Sequence, residues 1–328
     1  MTNVELATAP PVAVKRRDHP AAGYLFALTG ALLFGINGSV TKVVMTEGLT
    51  AEQVTLFRTL VTAGIAGAWL AWRHRAALRV TRRQVIAMAI LGVGGVAMIQ
   101  WLYAEAIALL PVGIALLIQY TAVLLVALAS WLFFKERVHR RLWLAIALVL
   151  AGLAVVAQVW DSELNALGVA AAAGAAVAYA LYFLMGEHGV ARQSPMVVTF
   201  WSMLFAAVFW AVFSQWWRID VTSFAEPVSM TGALTGLVVP LWLPVLWIVT
   251  LGAFVPFLFL FLALARLRAT AVGILASTEV LFAFAVAWVW LGEALTFVQC
   301  VGAVVVLIGI VVAQTARYKP RTALATRK

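Results

Sequence analysis

The sequence predicts an all-α membrane protein: ten transmembrane helices in two inverted five-helix repeats, with both termini cytoplasmic. Three observations predict it. The chain is too apolar for water, its basic residues fall on one side of the predicted bilayer, and it resembles itself at a fixed offset. Of 328 residues, 65% are hydrophobic and 11% are charged, against roughly half and a quarter in soluble domains. A water-soluble fold of this length has nowhere to bury that surface, so the solvent is a bilayer.

A spanning helix needs about 20 apolar residues. By that measure the spans lie near 21–45, 51–72, 84–106, 111–134, 141–160, 167–187, 195–217, 244–266, 270–291 and 296–316. The first follows a polar tail, 1–20, that ends on the basic run Lys15, Arg16 and Arg17. It is too long for the core of a cleaved signal and reads as a retained helix. The segment 229–243, with Gly236 and Pro240, is apolar but surplus to a span, and reads as an outer loop at the interface. The first repeat covers 21–160, the second 167–316, and a cytoplasmic tail follows at 317–328.

Loop charge tests that count, because arginine and lysine collect on the cytoplasmic side. With the N-terminus inside, 20 of the 23 basic residues fall in inner segments, as at Arg73, Arg75, Arg82 and Arg83. One, Arg218, falls outside, and Lys42 and Arg58 lie within helices. A net charge of +10 is therefore a topology signal. The clusters form no basic face with interleaved aromatics, which argues against nucleic acid as a partner. Trp72, Trp143, Trp160, Trp216 and Trp217 sit at helix ends, where an interfacial belt places them.

Aligning 106–156 with 263–313, an offset of 157, gives twelve identities, among them Leu110/Leu267, Thr121/Thr278, Trp131/Trp288, Glu136/Glu293 and Gly152/Gly309. A weaker match pairs Val54, Phe57 and Arg58 with Val197, Phe200 and Trp201. Five helices per half is an odd number, so the halves enter the membrane in opposite senses. Inverted repeats are the architecture in which one half rocks against the other to give alternating access.

These residues resemble the drug/metabolite transporter superfamily, EamA-type, over about 21–316. The likeness rests on Gln119-Tyr120-Thr121 with Trp131 and Glu136, on Thr278-Glu279 with Trp288-Val289-Trp290-Leu291-Gly292-Glu293, on Leu33-Phe34-Gly35-Ile36-Asn37, on Arg58, and on Tyr179-Ala180-Leu181-Tyr182. The chain departs from the family at Val280 and its counterpart Val123, where the family carries proline. The resemblance implies export of small metabolites across a bacterial inner membrane, and the aromatic interior looks most like the amino-acid exporter branch, for aromatic or neutral amino acids. Multidrug or sugar-type export by the same fold is the alternative, with a membrane enzyme or a channel well behind it.

Polar residues at mid-depth are costly and mark a pathway. Glu279 lies eleven residues past Arg268, so about 16 Å into a ~30 Å core. Gln119, Tyr120 and Thr121 reach similar depth from the other side, and the repeat brings Thr121 opposite Thr278. With Asn37, Gln100, Trp101, Tyr179 and Trp201, these are the candidate substrate-binding residues. Glu279 has two open roles, a site for a substrate ammonium or coupling proton, or a buried carboxyl that ties two helices. Arg58, Glu136 and Glu293 are candidates for structural or gating contacts, and Lys42 is expected to snorkel to the surface.

Catalysis is disfavoured. His19, His74, His139 and His188 sit at or beyond helix ends, and no span holds a pair of carboxylates. Cys300 is alone in an apolar run, and no Gly-rich phosphate loop is present. No metal and no cofactor is expected. The expected partners are a small amphiphilic substrate, the bilayer and a coupling proton, with the chain a monomer or weak homodimer.

Overall fold

The computed structural model describes residues 20–134, 140–156, 164–188, 194–264, 266–267, 272 and 275–316. The first half comprises α1 (Pro20–Thr46), α2 (Ala51–Arg73), α3 (Arg82–Leu109), α4 (Val112–Gln119), α5 (Ala122–Phe134) and α6 (Arg140–Val156). The second comprises α7 (Ala166–His188), α8 (Pro195–Phe213), α9 (Trp242–Val249 continued by Val255–Leu264), α10 (Thr278–Val286, extended to Leu291) and α11 (Phe297–Ala316). Among the described residues, six helices are long and apolar enough to cross a membrane: Ala21–Thr46, Ala51–Arg73, Arg82–Leu109, Ala166–Met185, Met196–Phe213 and Trp242–Leu260. Four shorter apolar helices, Val112–Val126, Trp143–Val156, Thr278–Leu291 and Phe297–Val312, fall in the remaining predicted spans.

The core is centred on α4. All eight of its residues are buried, so it has no polar stripe, as expected of a helix enclosed on every side. Around it, Ile107, Leu110, Ala145, Val149, Val280, Ala283, Val306 and Ile310 form one continuous cluster.

Contacts between α6 and α11 show how the halves are related. A Cβ on Gly152 would lie 2.7 Å from Val306 Cγ2 and 2.8 Å from the carbonyl oxygen of Gly302. A Cβ on Gly309 would lie 2.6 Å from Val149 Cγ2 and 3.1 Å from the carbonyl oxygen of Ala145. Each partner is the other's equivalent at the offset of 157. As numbering rises along α6 it falls along α11, so these repeat-equivalent helices run antiparallel about a local two-fold. Their closeness depends on glycine. Gly152→Ala and Gly309→Ala are each expected to destabilise the fold by about 1–3 kcal/mol, the usual effect of overpacking, read as a lower melting temperature of the purified protein.

Two predicted spans are broken instead of continuous. The stretch 111–134 turns at Tyr120 and Thr121 between α4 and α5, and 270–291 turns at Ser277 before α10. The breaks are repeat-equivalent. Val123 and Val280 supply no proline, and at each break a threonine hydroxyl takes a carbonyl of the preceding turn. Thr121 Oγ1 donates to the carbonyl of Ile118 at 2.7 Å, and Thr278 Oγ1 to that of Leu275 at 2.6 Å. A hydroxyl that takes the carbonyl three residues back competes with the backbone ladder and bends the helix. Wide turns recur in the same way, at Leu91–Ala97 within α3 and Thr250–Phe254 within α9. They place Gly95 and Gly252 at equivalent positions.

The segment between α8 and α9 departs from an all-α reading. It holds a small hairpin, β1 (Pro227–Ser229) paired antiparallel with β2 (Val238–Pro240). Trp290 Nε1 donates to the carbonyl of Met230 at 2.8 Å, which ties the hairpin to the end of α10. Val228 and Leu241 pack with Val40, Val44, Leu49 and Val54 near the α1–α2 turn. Mostly apolar and folded on itself, the loop is built to lie against helix ends.

Candidate functional site

A cavity of about 310 Å³ lies between the two halves. The face of α3 toward it carries Val96, Ile99, Gln100 and Tyr103, and that of α7 carries Tyr179, Tyr182 and Phe183. Both follow the i, i+3, i+4 spacing of a single helix face. Asn37 from α1, Arg58 from α2 and Gln119 and Tyr120 from the break after α4 complete one side. Met203, Phe257, Ala276 and Glu279 complete the other. The cavity extends to Ala27 on α1 and Leu260 on α9, the end of the bundle at which α1 begins.

Two charged side chains line it among the described residues, Arg58 and Glu279. Arg58 is 6% exposed, and one of its terminal nitrogens donates to the carbonyl of Gly252 at 3.4 Å, in the wide turn of α9. Its Nε has no protein partner. Tyr120 OH donates to Glu279 Oε2 at 2.7 Å and lies 3.2 Å from the carbonyl oxygen of Ala276, so the break of one repeat is tied to that of the other. Asn37 Oδ1, Gln100 Oε1, Tyr103 OH and Gln119 Oε1 are buried and unpartnered in the protein. Leaving such atoms unsatisfied costs about 1–3 kcal/mol each, so polar atoms gathered on one cavity are suited to a polar ligand or to water.

The opposite end of the bundle is closed by a charged cluster. Lys42 lies five residues beyond Asn37, about 7.5 Å further along α1. Its Nζ pairs with Glu293 Oε1 at 2.5 Å and donates to the carbonyl of Leu110 at 3.1 Å. Glu293 Oε2 accepts from the amide of Val112 at 2.8 Å, at the N-terminus of α4, where a helix favours negative charge. Gly292, at φ +72°, makes the left-handed turn that brings Glu293 back over the bundle. One cluster thus joins α1, the start of α4 and the end of α10, across both repeats. Lys42 thus spends its ammonium on a carboxylate of the other repeat.

The candidates from sequence divide accordingly. The structure brings Asn37, Gln100, Gln119, Tyr120, Tyr179 and Glu279 to one cavity, together with Arg58. Trp101 points elsewhere, with its Nε1 donating to Glu52 Oε1 at 3.0 Å and its ring 5.5 Å from that of Trp210. Thr121 borders a separate apolar groove beside Leu125 and Leu150, and Thr278, like Thr121, spends its hydroxyl on its own helix. Trp201 stacks on Phe205 with ring centroids 5.9 Å apart, away from the cavity. Glu136 lies outside the described residues. Tyr103, Tyr182, Met203 and Phe257 line the cavity without being among the candidate substrate-binding residues. The signal for two of them was present, since Tyr103 is three residues past Gln100 and Tyr182 three past Tyr179, on the same helix faces.

Comparison with known proteins decides the family. The model of the EamA-like transporter family matches residues 21–158 and again 166–315. The chain belongs to the EamA-like transporter family. It is accordingly a multi-pass membrane transporter of small molecules, with the EamA unit present twice. No curated protein sequence matches this EamA-like chain. Among solved structures, one described only as the crystal structure of a protein superposes with a TM-score of 0.59 at 21% identity, over 90% of this chain and 99% of the other. At that identity the likeness shows the shared fold of this EamA-like transporter and nothing of its substrate.

Proposed function

We propose that the protein is a secondary transporter that exports amino acids with aromatic or neutral side chains across a bacterial inner membrane, by alternating access. Its ten spans would divide into repeats at 21–160 and 167–316, with both termini cytoplasmic. The observation that carries the reading is the presence of one guanidinium, Arg58, and one carboxyl, Glu279, in a cavity otherwise lined by uncharged side chains, many of them aromatic or apolar. An amino acid presents the matching set: a carboxylate for Arg58, an ammonium for Glu279 and the Tyr120 hydroxyl, and an apolar side chain for the rings. Size supports a small metabolite, because about 310 Å³ sits at the lower end of the ~300–1,000 Å³ range of ligand pockets. With the cavity reaching the end where α1 begins and Lys42–Glu293 across the other, the arrangement reads as facing the cytoplasm.

Expression in a sensitive host is expected to lower its cytoplasmic amino-acid content and raise its tolerance to a toxic aromatic amino-acid analogue. Folded protein in liposomes should move the labelled amino acid. If it moves none of a panel of amino acids, the reading fails, and multidrug or sugar-type export takes its place.

A further inference from the structure

The two-fold relation between the repeats allows each cavity position to be compared with its equivalent. A Cβ on Gly23 would meet Leu267 Cγ at 2.7 Å, and one on Gly168 would meet Leu110 Cγ at 2.7 Å. Leu110 and Leu267 are 157 apart, so α1 maps onto α7 at an offset of 145. Asn37 then corresponds to Tyr182. Contacts agree, since Asn37 packs on Gly252 and Tyr182 on the equivalent Gly95. At the offset of 157, Gln100 corresponds to Phe257 and Tyr103 to Leu260.

Equivalent positions therefore carry opposite chemistry. Every buried cavity-lining side chain with an unpartnered polar atom, namely Asn37, Arg58, Gln100, Tyr103 and Gln119, belongs to the first repeat among the described residues. The second repeat offers Tyr179, Tyr182, Phe183, Met203 and Phe257, with Glu279 its one carboxyl. A symmetric fold thus has its unpartnered polar atoms on one repeat and, Phe34, Tyr103 and Tyr120 apart, its aromatic lining on the other, with Glu279 the exception on that side.

We propose that the repeats divide recognition: the first, with Glu279 as the one contribution of the second, binds the polar end of the substrate, and Tyr182, Met203 and Phe257 of the second form the subsite that selects its side chain. This rests on the amino-acid reading above. Apolar selection is set by contact, and one methylene in such a pocket changes preference by about 10–200-fold. Loss of a hydrogen bond to the common α-amino and carboxylate groups, by contrast, weakens all substrates alike.

The test is binding to the full-length protein in detergent, with phenylalanine, leucine and alanine as ligands and melting temperature as readout. Met203→Ala and Phe257→Leu are expected to change the phenylalanine-to-alanine affinity ratio by about tenfold or more. Asn37→Ala and Gln100→Ala should weaken all three ligands by a common factor and leave that ratio unchanged. The division is overturned if the Met203 and Phe257 variants weaken the three uniformly, or if first-repeat variants change the ratio. If Phe257→Leu does not fold, Met203→Leu gives the same readout. Should the wild-type protein bind none of the three, the amino-acid reading fails first and the division falls with it.

Discussion

Arg58→Ala is expected to reduce transport about a hundredfold or more while the protein still folds and inserts. Truncating one partner of a buried charged contact costs about 2–5 kcal/mol, and 1.4 kcal/mol is a factor of ten. Arg58→Lys should recover little, because an ammonium cannot reproduce the planar donor set that reaches the Gly252 carbonyl and leaves Nε for a ligand. Glu279→Gln should have an effect of similar size. The amide still accepts from Tyr120, so the contact between the two helix breaks survives while the charge is lost. If Glu279 serves a substrate ammonium or a coupled proton, transport or its pH dependence disappears at an unchanged melting temperature. Full activity with an unaltered pH profile in Glu279→Gln would assign the carboxyl to holding α4 and α10 together. Efflux from liposomes at several pH values separates these outcomes.

The second large effect is expected at the closed end. Lys42→Met leaves Glu293 with only the Val112 amide, and Glu293→Gln keeps an acceptor for that amide but removes the ion pair. Hydrogen bonds to charged groups contribute about 1.5–3 kcal/mol each. Losing one should therefore shift the balance between the two access states by ten- to a hundredfold. A cysteine at Ile99, in a background with Cys300 replaced by serine, reports the shift. It should become labelled by an impermeant thiol reagent from the outside in either variant and stay protected in the parent. Protection in both variants would show that packing alone keeps that end shut. The reversed pair Lys42→Glu with Glu293→Lys should restore protection only in part, since lysine cannot accept from the Val112 amide.

Much of this fold was legible in the sequence because bilayer solvation imposes a coarse and redundant code. Apolar length marks the helices, and the offset of 157 falls between residues that the structure places in equivalent contacts, such as Gly152 and Gly309. Glu279 and Arg58 were legible as charges where charge is costly. Facing was harder to read. Gln100 lines the cavity and Trp101, about 100° further round the helix, points to Glu52 instead, although both are unusual residues at the same depth. Thr121 and Thr278 stood out as polar, and they satisfy their hydroxyls within their own helices. Lys42 and Glu293, 251 residues apart, could be paired only once the bundle had closed, because nothing local links them. The segment 229–243 reads as an interfacial loop because it is surplus to a span, and an apolar run without the alternation of a half-buried strand gives no sign of the hairpin of β1 and β2.

The breaks at Thr121 and Thr278 differ in kind from the bend a proline would impose. A proline ring excludes the straight helix for as long as the chain exists, whereas a hydroxyl that borrows a carbonyl can return it. Undoing such a bend exchanges one hydrogen bond for another, at a net cost of about 0.5–1.5 kcal/mol, within reach of thermal motion. Because the same device occupies equivalent places in both halves, either helix can straighten at the same small cost. The chain thus carries a pair of matched, reversible joints where fixed elbows might have stood, and its two end states can lie close in energy without either helix holding permanent strain.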